Sequence, residues 1–289
     1  MTFSQNKTSK VIFWNIWGHR NPEELHQLLK QHASETDVFC LTEVTDIDAS
    51  ELAQLETVLR HGENPLEKPQ HVNGFVQLQA LFAETHDLQY ESATRTDWTC
   101  QKTAVLFPAV GFGSALIICK ELDVVATGFE IIGNTDGVQP RIIQWVIYDK
   151  NEMRYLVAHL HGVWIKENTK GDHPVRDLQS EYVRATLEGL RQEYRAQKII
   201  FGGDLNLDMQ TKALRALESG AGVSDQVLRN LISEFNVSGT RTAAYRKFNE
   251  PGALFADYVL VSNEVIVDSL VVLTEELASD HAPLIVNFS

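Results

Sequence analysis

The chain has 289 residues, 44% of them hydrophobic, and 39 Asp and Glu against 25 Lys and Arg give it a formal charge of −14. That length can bury a large core, as one α/β domain or two smaller ones, and the composition excludes a disordered chain. The acidity counts against a processive or non-specific nuclease, since such proteins gain affinity by neutralising phosphates with a basic surface, and any nucleic-acid binding needs a local basic patch or is restricted to short ends.

No apolar run approaches the roughly 20 residues needed to span a bilayer. The start, Met1-Thr2-Phe3-Ser4-Gln5-Asn6-Lys7, has no apolar signal core. The expectation is a cytoplasmic protein with no membrane insertion and a flexible tail over residues 1–9. Cys40, Cys100 and Cys119 are odd in number and widely spaced, which indicates neither a disulfide framework nor a zinc cluster.

Along the chain, a strand is expected over 10–16, then an amphipathic helix from Pro22 to Ser34 with Leu25, Leu28 and Leu29 on one side. Strand 37–43 follows, and Asp46 to Ala83 reads as helical pieces broken by Pro65 and Pro69. Further strands are expected at 88–94, 103–107, 114–119, 123–132, 141–148 and 153–160. A second helix lies within Asp172 to Arg195, with Val183, Leu187 and Leu190 on its apolar face. After strand 198–202 come helices near 210–218 and 224–234, then strands at 256–261, 264–273 and 283–288. No stretch looks like a linker or an internal repeat, so the reading is one domain over residues 1–289.

Polar residues recur where these apolar runs end, and in α/β architectures ligands bind at such strand ends. Asn15 closes Val11-Ile12-Phe13-Trp14, and Glu43 closes Asp37-Val38-Phe39-Cys40-Leu41-Thr42. His159-Leu160-His161-Gly162 closes the run from Tyr155, and Asp257 opens the run to Ser262. Gly203-Asp204-Leu205-Asn206 follows Lys198-Ile199-Ile200-Phe201, and Ser279-Asp280-His281 lies near the end of the chain. An Asp-x-Asn at a strand exit aims two oxygen-bearing side chains at one spot. Oxygen ligands suit Mg²⁺ or Mn²⁺ better than zinc. Together these segments point to metal-assisted cleavage of a phosphoester. The preceding Gly202-Gly203 pair suggests close backbone approach, which a helix cap alone does not need.

The ordered series Asn15, Glu43, His159, Asp204-x-Asn206, Asp257 and Asp280-His281 resembles the endonuclease/exonuclease/phosphatase superfamily, DNase I-like in fold. Gly113 to Lys120 resembles that family's central small-residue-plus-strand segment. The resemblance covers residue 11 to the C-terminal residues. It implies a four-layered α/β sandwich of two mixed β-sheets flanked by helices, with the active site at one end. It also implies a metal site of Asn15, Glu43 and Asp280, and catalytic roles for His159, Asp204, Asn206, Asp257 and His281. Within that pattern Asp204, or a histidine–aspartate pair, activates water. Asn206, His159 and His281 contact the phosphate, and Asp257 fixes a histidine tautomer. His161 is left as a supporting or loop-fixing residue.

Arg241 and Arg246, in the local basic patch Arg241 to Lys247, are the substrate-binding candidates, because Arg suits bidentate phosphate contact. For Arg141, Arg176 and Gln179 taken singly the ordinary structural reading wins. For Trp98 and Trp164 ordinary packing is favoured over stacking on a base. The loops expected to carry specificity are 62–74, 95–103, 164–174 and 236–252.

The function expected is a Mg²⁺- or Mn²⁺-dependent phosphodiesterase acting on DNA or RNA ends or a nucleotide derivative. The alternatives are a phospholipid or sugar-phosphate phosphoesterase of the same superfamily, or a non-catalytic binding relative. A zinc hydrolase built on His159-x-His161 fails for want of further ligands.

Overall fold

The computed structural model describes residues 8–46, 58–59, 70–71, 73–93, 95–99, 106–132, 140–165, 168, 170–219, 227–248 and 254–289; for 58–59, 70–71, 95–99, 106–109 and 246–248 it describes the backbone alone. The strands in chain order are β1 (Ser9–Asn15), β2 (Val38–Asp46), β3 (Val58–Leu59), β4 (Gln70–His71) and β5 (His86–Glu91). They continue with β6 (Arg95–Thr99), β7 (Leu106–Cys119), β8 (Asp123–Ile132), β9 (Arg141–Lys150) and β10 (Met153–Leu160). The last are β11 (Lys198–Asp204), β12 (Leu228–Asn230), β13 (Asp257–Ser262), β14 (Val267–Val272) and β15 (Leu284–Phe288).

Two mixed sheets pack face to face. One runs β14-β15-β1-β2-β7-β5 with β6 also pairing β7, the other runs β12-β13-β11-β10-β9-β8, and β3 and β4 form a separate two-stranded ribbon. The first and last strands share one sheet, and the second sheet comes from the chain between them. The pairs β1–β2 and β10–β11 are parallel, and β15 runs antiparallel to β1.

The central strands read as unbroken apolar runs because both of their faces are covered. In β1, Val11 and Phe13 enter the core between the sheets, while Ile12 and Trp14 join a separate cluster with Leu25, Leu28 and Leu29 of the Pro22–Ala33 helix. Val38 and Cys40 of β2 divide from Phe39 and Leu41 in the same way. Alternation along each strand thus builds one helix layer, the first sheet and the inter-sheet core. On the other flank the Pro174–Tyr194 helix buries Val183, Leu187 and Leu190. Proline occupies its first turn, where a missing N–H costs nothing, and it ends at Arg195 in a left-handed turn with φ 55°.

The expected architecture is therefore present, with local differences. Residues 228–230, read as helix, form β12, and of the described residues in that expected helix only Leu231–Glu234 is helical. The expected loops 95–103 and 236–252 contain β6 and the Ala243–Phe248 helix. Of the tail expected over residues 1–9, Ser9 already pairs with Phe288, and residues 1–7 lie outside the described residues. So does most of Asp46 to Ala83, whose described part holds β3, β4 and a Gly74–Phe82 helix.

Candidate active site

The carboxyl ends of the parallel pairs and the start of β13 meet at one end of the sandwich, where a cavity of about 540 Å³ opens. Its walls include Glu43, His161, Asp204, Asn206, Arg241, Asp280 and His281. Asn15 is the last residue of β1 and Asp204 the last of β11, and Asp204 stands directly opposite Asp257 in the β11–β13 register. Glu43 sits at a break in register between Thr42 and Val44 and has φ 56°. A bulge re-aims a side chain out of the strand's alternation, and here it turns Glu43 to the sheet end. Asn206 and Trp17 on the cavity wall also have positive φ, both at 53°. Such conformations are costly for non-glycine residues and cluster at functional sites.

Glycine makes the backbone layers fit. A Cβ on Gly202 would stand 2.6 Å from the Tyr258 carbonyl oxygen, and one on Gly203 2.4 Å from that of Leu160, with φ at +123°. Gly162 is as tight against Leu205. Its N–H donates to the Asp204 carbonyl at 2.7 Å, and its own carbonyl accepts from Asn206 Nδ2 at 3.2 Å.

The polar groups form two linked sets. In the first, Asn15 Nδ2 donates to Glu43 Oε1 at 3.0 Å and to Asp204 Oδ2 at 3.1 Å. In the second, both oxygens of Asp257 accept from His281 Nδ1 at 2.9 Å, and His281 Nε2 lies 3.5 Å from Asp204 Oδ2. Arg241 donates to Asp280 Oδ2 at 3.2 Å and lies against His281 Nε2. Among the described residues, Asp204, Asp257 and His281 hold donor atoms within 4.8 Å of one another. Both Asp257 oxygens are committed to His281, so Asp257 is the member of this trio least able to serve as a ligand.

The protonation states follow the charges. Burial would raise the Asp204 carboxyl, but His281, His161, Arg241 and the Asn15 amide around it hold it below the ordinary range. Burial raises Asp257 in spite of His281. Burial raises Glu43 as well, and Asp280 adds to the effect. For His281, burial and Arg241 push downward, yet Asp257, Asp204 and Asp280 together lift it above an ordinary histidine. Burial, with Arg141 second, takes His161 down to about 3.

The chemistry of the donors fits a hard divalent cation. Three carboxylates, Glu43, Asp204 and Asp280, face the cavity, and Asp280 Oδ1 is buried with no hydrogen-bond partner among the described residues. Asn15 fits less well as a ligand. Its Oδ1 accepts the Trp17 N–H at 3.0 Å, so its NH₂ end, which cannot bind a cation, faces the carboxylates. It positions Glu43 and Asp204.

Of the remaining expected site residues, Asn206, Asp257, Asp280, His281 and Arg241 come together, and His159 does not join them. Tyr155, His159 and His161 share a face of β10 by alternation. His159 is one step deeper, fully buried and 3.1 Å from Gln144 Oε1, with burial taking it down to about 3. Of these two histidines the one on the cavity wall is His161, with Nε2 3.6 Å from Asp204 Oδ2 and 3.9 Å from Glu43 Oε1. The side chain of Arg246 lies outside the described residues.

Arg176 and Gln179 are structural. Arg176 holds the carbonyls of Gly171 and Asn168 at 2.7 and 2.8 Å, and Gln179 accepts the Val163 N–H at 3.1 Å. Arg141 lines the cavity, with Nε buried and without a hydrogen-bond partner among the described residues. Strand pairing puts it there: β9 pairs antiparallel with β10, so the start of one strand lies beside the end of the other.

The description "Endonuclease/Exonuclease/phosphatase family" belongs to a family model that matches residues 12–281. Comparison with curated proteins returned no match. Among solved structures, the chain is similar to a mannosyl-6-phosphatase of Bacteroides thetaiotaomicron (17% identity, TM-score 0.68, covering 97% of this chain and 99% of that one). It is similar to the human Nocturnin catalytic domain (15%, 0.63, 98% and 95%). It is also similar to D. rerio TDP2 complexed with a single-strand DNA product (14%, 0.64, 98% and 99%). At these identities the likeness is one of fold. The match over residues 12–281 shows more: this chain belongs to the endonuclease/exonuclease/phosphatase family.

Proposed function

We propose that this chain is a single-domain phosphoesterase dependent on Mg²⁺ or Mn²⁺, hydrolysing phosphodiester bonds of nucleic-acid ends or nucleotide derivatives by in-line attack of water. The observation that carries this reading is the Asp257–His281 pair facing Glu43, Asp204 and Asp280 across one cavity.

Asp257 takes the Nδ1–H of His281, which makes Nε2, lying against Arg241 and 3.5 Å from Asp204, the proton acceptor. His281 is thus the base for the attacking water, and the raised Asp257 and His281 values keep the proton within the pair. Asp204, held ionised, orients that water. Asn206, fixed by its hydrogen bond to Gly162, and Arg241 bind phosphoryl oxygens. His161 stands where a leaving oxygen would be contacted. Glu43, with Asp204 and Asp280, would hold the cation, which when bound polarises a phosphoryl oxygen and stabilises the leaving oxygen. Every position this scheme needs is filled by a residue able to serve, which favours an enzyme over a binding relative.

The test is Mg²⁺-dependent turnover across single- and double-stranded DNA, 3′-blocked ends, RNA, sphingomyelin and inositol phosphates, beside an Asp204→Ala, His281→Ala double variant. The expected result is hydrolysis of a nucleic-acid or nucleotide substrate that EDTA and the double variant abolish. Turnover confined to lipid or inositol substrates overturns the substrate class. Silence of the wild type overturns the hydrolase reading.

A further inference from the structure

Large apolar side chains that stand exposed occur at several places among the described residues, but Trp164 alone of them also lines the cavity. It is 53% exposed although the two residues before it are buried and tied down. Gly162 is bonded on both sides to the Asp204-Leu205-Asn206 segment, and the Val163 N–H is held by Gln179 of the Pro174–Tyr194 helix. An indole left in solvent forfeits the burial that an aromatic side chain normally gains. A held backbone that keeps it there presents a rigid flat face three residues from His161. The wall toward β7 and β9 sets apolar Val110, Phe112, Pro140 and Ile142 beside polar Ser114 and Arg141. The cavity therefore carries apolar lining as well as ionic groups, and about 540 Å³ suits a mononucleotide-sized group.

We infer that Trp164 is a specificity-determining platform on which a planar ring of the substrate stacks while the attached phosphate sits at His281 and Asp204. The substrate class is a phosphoester carrying a nucleobase close to the scissile group. The inference rests on the phosphoesterase reading for the place of the phosphate and adds what binds the rest of the molecule. Stacking tolerates any base, because each has a π-face, so the platform selects for a ring without selecting a sequence.

The test uses phosphonate analogues of AMP and of ribose 5-phosphate, a methylene replacing the ester oxygen so that neither is hydrolysed. Each is titrated calorimetrically into the whole protein with Mg²⁺. Wild type is expected to bind the adenosine compound about 10-fold more tightly than the ribose compound. Trp164→Ala should remove that preference while leaving the ribose compound's affinity unchanged, and Trp164→Phe should restore most of it. The inference is overturned if wild type shows no preference or binds neither compound, if the preference survives in Trp164→Ala, or if that variant weakens both compounds equally. The two readings fail separately. A ring preference without turnover on any phosphoester removes the hydrolase and leaves the platform, whereas turnover without a ring preference does the reverse.

Discussion

At the scale of single residues, the site turns on which atom of each side chain is already committed. Asn15 has its oxygen on the Trp17 N–H, so its amide nitrogen braces Glu43 and Asp204. His281 has Nδ1 on Asp257, so Nε2 is the acceptor, and it lies against Arg241. Asp257→Asn tests that arrangement, because an amide cannot reproduce the carboxylate's two acceptors or its charge. A positioned base contributes about 10²- to 10⁴-fold, and kcat is expected to fall by that order. The sign of the pH effect follows from the charges. His281 is raised by the surrounding carboxylates and must be neutral to act, so wild-type kcat/KM rises as pH passes upward through that raised value. Removing one carboxylate lowers it, and the acid limb of the profile should move to lower pH in the variant. A profile whose limb stays in place, or moves upward, would assign the titration to another group.

At the scale of elements, the site depends on how strand ends are finished. β11 leaves the sheet through Gly202-Gly203 because a side chain at either position would meet the carbonyl of a neighbouring strand, and Gly203 adds φ +123°. β2 is broken by a bulge so that Glu43 faces the end of the sandwich. β10 ends at Leu160, one residue short of His161, which leaves that ring free of the ladder. Gly203→Ala combines a forbidden backbone conformation with a close approach to the Leu160 carbonyl. Such strain costs about 1–3 kcal/mol before any clash, and the unfolding free energy from urea denaturation should fall by at least that much, with a lower midpoint. An unchanged midpoint would mean that the backbone relaxes there without cost. The close approach was legible in the glycine pair itself. The bulge was not, because no residue in Thr42-Glu43-Val44 marks it: a bulge is a property of two strands, and β7 lies some 70 residues away in the chain.

At the scale of the whole molecule, charge and cavity set what can bind. The chain carries −14, and the arginines lining the cavity among the described residues are Arg20, Arg141 and Arg241. Each phosphate neutralised on a single strand contributes about −0.7 to the slope of log affinity against log salt. Three cations therefore permit a slope no steeper than about −2 for a single-stranded oligonucleotide, measured as 1/KM across KCl concentrations. A steeper slope would reveal a basic surface beyond the cavity.

Taken by itself, the sequence determined the order of strands and helices, the sandwich class through its family resemblance, and most of the residues that meet at the site. Those properties are written locally, as apolar runs with polar residues at their ends. Only the tertiary structure decided which of two same-face histidines reaches the cavity, which end of Asn15 faces the carboxylates, and that Arg141 and Trp164 belong to the wall. Each of these depends on depth and on partners distant in the chain: His159 is covered by Gln144 of β9, and the Val163 N–H next to Trp164 is held by Gln179 of a helix. Alternation along a strand assigns a face, but where along that face the core stops and the cavity begins is set by the second sheet packed against it.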